Sequence, residues 1–145
     1  MNSHVATRIE KFRGNLDKAS IDAGWIVRPE NRRYLSGFKA RDSQLDESSG
    51  SLLVGKDSLV LLTDSRYSEE ASLEAQGYQV EQVGNKFSEA FSRIVERIGC
   101  RKVGFEKDYL TWGMHAKVSA ELEKLDPPRN MVSIDGEVEN LRRIK

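Results

Sequence analysis

The stretch TDSRYSEEA at residues 63–71 sets an aspartate, an arginine, a tyrosine and two glutamates directly after the apolar run SLVLL. Two uses suit such a set. Acids at the ends of neighbouring strands can hold two Mg²⁺ ions for nuclease chemistry. Asp64, Glu106 and Asp22 each stand beside an apolar run and are the candidates. The second use is a helix start. Asp64 or Ser65 then accepts from the free N–H groups of the first turn, and Glu69 and Glu70 favour its positive end. The helix start accounts for every acid without a ligand, and it is the expectation. Arg66 offers a donor fork for a buried carboxylate, with Glu106 a candidate partner. Tyr67 can bury its ring while its hydroxyl reaches a polar group.

Other chemistries find less support. Zinc or a di-metal site needs His, Cys, Asp or Glu in defined geometry. The two histidines, His4 and His115, sit in no H-x-x-x-H, H-E-x-x-H or C-x-x-C pattern. His4 is expected in solvent and His115 at a surface or boundary. No G-x-S-x-G elbow accompanies the loop serine Ser49, and no G-x-G-x-x-G or P-loop pattern occurs. Cys100 is the one cysteine. It permits no internal disulfide, fits a reducing cytoplasm, and is expected as a buried thiol.

The elements that position these residues follow from periodicity. A chain of 145 residues makes one domain or a piece of a larger protein. Lys+Arg and Asp+Glu balance at 23 each, which gives no case for nucleic acid or an anionic membrane as partner. The first forty residues lean basic (Arg8, Lys11, Arg13, Lys18, Arg28, Arg32, Arg33), as a solvated helix face and loop do. MNSHVATRIEKFRG has no apolar core of a signal peptide, and no run nears the ~20 apolar residues of a membrane span. Val5, Ile9, Phe12 and Leu16 predict an amphipathic helix capped by Ser3. GWIV at 24–27 reads as a strand that ends before Pro29, and Gly37 allows a bend. Residues 39–50 form a polar loop. SLLVG and SLVLLTD predict an antiparallel hairpin. A helix over 66–76 stops at Gly77, and YQVEQV alternates as a strand. Phe87, Phe91, Ile94, Val95 and Ile98 mark a second helix stopped by Gly99. KVGFE is a buried strand. Leu110, Met114, Val118 and Leu122 mark a third helix capped by Thr111 and ended by Pro127–Pro128. MVSID is a last strand. Alternating helices and strands plus a hairpin predict an α/β fold with a mixed sheet. GEVENLRRIK begins a further helix with nothing evident to pack on, which suggests that more protein follows.

Four of these stretches, in order, resemble the amino-terminal domain of the creatinase/prolidase/aminopeptidase P (M24) family: NRRYLSGF at 31–38, TDSRYSEEA at 63–71, VGFE at 103–106 and LRRIK at 141–145. The resemblance implies a mixed sheet of five to six strands flanked by helices, with ribonuclease H-like topology. Tyr34, Gly37, Phe38, Asp64, Arg66, Tyr67 and Glu106 are the motif positions, expected to be structural. It divides the chain into a domain over 1–135 and, over 136–145, the start of a linker helix. It implies that catalysis resides in a following domain, which holds two divalent metals (Mn, Zn or Co) on two Asp, one His and two Glu beyond Lys145. No residue here inherits those roles.

The resemblance further implies a cytoplasmic homodimer acting on peptides with proline at the second position. A loop of this domain would reach over the neighbouring subunit's active site. Residues 39–50 are the natural candidate, with Lys39, Arg41 and Asp42 as gating residues. This loop departs from the family's short G-[ST]-S-G-like form, because KARDSQLDE intervenes before SSG. A non-enzymatic scaffold of the same fold and a creatinase-type C–N hydrolase are the alternatives.

Overall fold

The computed structural model describes residues 1–39 and 50–143. Among the described residues six strands form one sheet: β1 (Ala23–Ile26), β2 (Ser51–Gly55), β3 (Leu59–Thr63), β4 (Gln79–Gln82), β5 (Lys102–Phe105) and β6 (Asn130–Ser133). Their order is β4-β3-β2-β1-β5-β6. Only β2 runs against its neighbours; the pairs β1–β5, β5–β6 and β3–β4 are parallel. The run β3-β2-β1-β5-β6 is a ribonuclease H-like order, and β4 extends it beyond β3.

Successive side chains on a strand face opposite ways, so the central strands serve two cores. Ile26, Leu52, Val54 and Leu61 face one layer, which comprises α1 (Ser3–Lys18), α2 (Pro29–Ser36), α3 (Ser68–Glu74) and α6 (Glu137–Arg143). Trp25, Leu53, Val60, Leu62 and Val103 face α4 (Phe87–Ile98) and α5 (Trp112–Glu123). Trp25 packs between Phe91 at 4.6 Å and Phe87 at 5.8 Å, ring centre to ring centre. Gly104 on β5 is a close approach: a Cβ there would lie 2.4 Å from Ile134 Cγ2.

Helix α1 buries its whole predicted stripe; α4 buries Phe91, Ile94 and Val95 and α5 buries Val118 and Leu122, while Phe87, Ile98, Met114 and Leu110, which precedes α5, are half-buried against the same core. Thr111 caps α5 by accepting from Met114 N at 3.2 Å. The cap of α1 is Asn2 rather than Ser3: its Oδ1 accepts from His4 N at 2.7 Å, and Ser3 is already inside the helix.

Three further corrections concern boundaries. Residues 29–36, expected only as a strand end and a bend, form α2. Pro29 stands in its first turn, where its lacking N–H costs nothing, and Gly37 closes it at φ +83°. Helix α3 is shorter than the span 66–76, and its cap position is Tyr67, so neither Asp64 nor Ser65 caps it. Helix α6 does have a packing surface: Val138 is 1% exposed and sits in the core that α1 lines, with Leu141 against it. Ile144, Lys145 and residues 40–49, including Arg41, Asp42 and Ser49, lie outside the described residues.

Candidate functional site

Strands β1, β3, β5 and β6 run the same way, so their carboxyl ends share one edge of the sheet. In open α/β sheets this is the edge that usually carries function. Glu106 follows β5 there and is only 4% exposed. Its Oε1 accepts from Val27 N at 2.5 Å and Arg28 N at 2.8 Å, the first residues after β1. Its Oε2 accepts from Asn31 Nδ2 at 2.6 Å, in the first turns of α2. The same Nδ2 donates to Glu139 Oε2 on α6 at 3.0 Å. One carboxylate and one amide thus join β1, β5, α2 and α6.

Burial pushes the Glu106 carboxyl above its ordinary value. Its three N–H donors oppose that rise, and the nearby Glu139 carboxylate adds to it. Arg28 balances the acids from the rim, with Nε 3.1 Å from Glu30 and Nη1 3.6 Å from Glu139. Both Glu106 oxygens accept from N–H donors of this chain, which engages the carboxylate within the fold. It is a structural hub.

The other motif residues make contacts within the fold. Tyr34 Oη donates to Leu141 O at 3.2 Å, tying α2 to α6, and Arg8 lies 4.4 Å over its ring. Phe38 is fully buried, beside the Arg32 guanidinium at 5.3 Å. Arg32, buried though charged, donates to Gly50 O at 2.9 Å. Tyr67 packs partly buried against the α1-side core.

Arg66 does not pair with Glu106. Its side chain is 67% exposed and meets Asp64, two residues away, at 2.9 Å. Asp64 Oδ1 also accepts from Arg66 N at 2.8 Å, which makes a local turn ahead of α3. The Arg66 guanidinium holds the Asp64 carboxyl below its ordinary value. Proximity along the chain explains the difference: a partner two residues off costs far less ordering than one across the sheet. Asn31 is the residue that sequence reasoning left without a role. Its signal was present, a polar amide opening the NRRYLSGF stretch just after Pro29.

The nuclease arrangement does not form. Asp22 precedes β1 and so lies at the opposite sheet edge from Glu106 and Asp64. Its Oδ2 accepts from Arg101 N and Lys102 N, at 3.0 and 2.8 Å. Among the described residues no group of three or more His, Cys, Asp and Glu side chains could hold a metal ion. The His115 ring packs on Phe105 at 4.7 Å. The donor set here does not fit a di-metal centre. Lys39 is exposed, and its backbone N donates to Glu74 Oε1 at 2.8 Å. No described helix is long and apolar enough to cross a membrane.

Known proteins share this frame. The model of the family described as Creatinase/Prolidase N-terminal domain matches residues 8–144. The uncharacterized peptidase YqhT of Bacillus subtilis is 29% identical over 138 residues, 95% of this chain and 36% of its own length. An Xaa-Pro dipeptidase from Bacillus anthracis superposes with a TM-score of 0.82 at 30% identity, over 97% of this chain and 36% of that one. The isolated N-terminal domain of the cytoplasmic peptidase PepQ from Mycobacterium tuberculosis H37Rv gives 0.79 at 28% identity, covering 94% of this chain and 98% of that one. The chain therefore spans about a third of the length of the whole peptidases it resembles. With the sheet order, the motif residues and the family model in agreement, the chain belongs to the Creatinase/Prolidase N-terminal domain family.

Proposed function

We propose that this chain is the non-catalytic amino-terminal domain of an Xaa-Pro dipeptidase or aminopeptidase P-like metallopeptidase. The observation that carries the reading is coverage: the chain matches 36% of the Bacillus anthracis dipeptidase and 98% of a solved isolated N-terminal domain. In this reading α6 begins the link to a catalytic domain. That domain supplies two divalent metals and the hydroxide that attacks the bond before proline. The Glu106–Asn31–Glu139 junction sets the direction in which α6 leaves the sheet. The domain contributes to a homodimer, and residues 39–50, with Lys39, Arg41 and Asp42, gate the neighbouring subunit's active site. The assembled enzyme works in the cytoplasm.

The test compares two proteins with Mn²⁺ present. The full-length gene product is expected to hydrolyse a dipeptide or longer peptide with proline second, and the 145-residue chain to turn over neither. Turnover by the isolated chain contradicts the reading. A full-length product inactive on Xaa-Pro peptides but active on creatine favours the C–N hydrolase, and one inactive on both favours the scaffold.

A further inference from the structure

We propose that the groove between α1, α2 and α6 is a binding site for a small, multiply charged oxyanion. Arg8, Arg33, Lys39 and Arg142 line it, with Glu30 as the one acid, around a volume of about 410 Å³. The chain as a whole is neutral, with 23 cationic and 23 anionic side chains, so composition does not explain this local excess.

The partners of these groups sharpen the point. Glu30 pairs with Arg28 at 3.1 Å, outside the groove lining, and also feels the charge of Arg142 within it, which leaves Arg8, Arg33 and Lys39 as the cations it does not balance. Arg8 donates to Tyr34 O at 3.2 Å and lies over the Tyr34 ring, which fixes its guanidinium in place. The side chains of Arg33 and Lys39 are exposed and have no hydrogen bond or ion pair among the described residues. Arg142 Nε is buried with no acceptor. That nitrogen is closed off, so it is the remaining N–H groups of the Arg142 fork that stand in the groove lining.

Arg33 and Arg142 each stand in the last turn of a helix, where a cation complements the helix dipole. That use explains each residue singly. It does not explain why two helix ends, with Arg8 and Lys39, converge on one concavity. Guanidinium forks pair with the oxygens of phosphate and carboxylate alike. The groove volume is that of a small-ligand site, for which ~300–1,000 Å³ is usual. The groove adjoins the Glu106 junction through Glu30 but includes none of Glu106, Asn31 and Glu139, and the inference does not depend on the peptidase reading.

The test is calorimetric titration of the 145-residue chain with pyrophosphate and, separately, with citrate, at constant ionic strength set by chloride. Saturable binding of at least one is expected. Pyrophosphate alone assigns a phosphate ligand, citrate alone a polycarboxylate, and both the shared oxyanion chemistry. The double variant Arg33→Glu/Lys39→Glu changes exposed positions, and circular dichroism checks its fold. It is expected to weaken binding at least about tenfold, the scale of one lost charge-assisted contact. The control Lys11→Glu/Lys117→Glu, with the same charge change outside the groove, is expected to leave binding within about twofold. Absence of saturable binding by both anions overturns the proposal. So does binding that the first variant leaves unchanged, or that both variants weaken equally.

Discussion

The Glu106 carboxylate meets Val27 N, Arg28 N and Asn31 Nδ2 in a site with almost no water contact. Its folded pKa is raised above the ordinary 4.5. The folded state therefore binds this proton more firmly than the unfolded chain does. The resulting stability is fully present below the unfolded value and is lost as pH rises through the folded value. Glu106→Gln removes the titration while keeping the shape. Wild-type stability minus that of the variant should grow as pH falls through the raised folded value toward 4.5, because the other carboxylates are common to both proteins. Urea unfolding at stepped pH measures it, and a difference that stays flat or shrinks toward acid contradicts the assignment. Asn31→Ala tests the other half of the junction. It strips a charge-assisted bond from each of two carboxylates, one of them buried, and should cost roughly 2–4 kcal/mol. A loss under about 0.5 kcal/mol, the range of ordinary surface changes, would show that Asn31 bridges nothing of consequence.

Among the elements, α2 and α4 mark what the sequence made legible and what it hid. Helix α4 carries Phe91, Ile94 and Val95 on one buried stripe, and periodicity alone finds it. Helix α2 buries Asn31, Arg32 and Ser36 as well as Leu35. Its inward face is polar because Asn31 and Arg32 bond across the fold while Ser36 bonds to Arg32 O and Phe38 N at the helix end, so an apolar count misses it. The same blindness hid Asn31 and sent Arg66 toward Glu106: periodicity says which residues are inside, and it does not say which polar groups meet there. Both helices end in a left-handed glycine, Gly37 at φ +83° and Gly99 at φ +76°. An alanine at either position pays the left-handed cost of roughly 1–2 kcal/mol. At Gly37 the added Cβ also stands 3.1 Å from Glu74 O, whereas at Gly99 it meets nothing within 4 Å. Gly37→Ala should therefore destabilise more than Gly99→Ala in thermal unfolding, and the reverse order would refute the close approach.

At the scale of the molecule, the two helical layers share one sheet. Strands β1, β2 and β3 each send side chains into both cores, so neither layer can melt and leave the other's floor intact. This predicts a single cooperative unfolding transition, and Cys100 is a reporter already in place. It is 3% exposed between the end of α4 and the start of β5, packed in the α4–α5 core. Burial pushes its thiol up to about 12. At pH 8 the native thiol is thus both covered and protonated, and only the thiolate reacts. Labelling by a thiol reagent should be negligible in native buffer. Its free energy of opening should fall with urea along the slope that circular dichroism gives for global unfolding, since exposing Cys100 requires separating α4 from the sheet. Labelling with a clearly shallower urea dependence would mean that the α4–α5 layer opens by itself, and the shared-sheet account of cooperativity would fail.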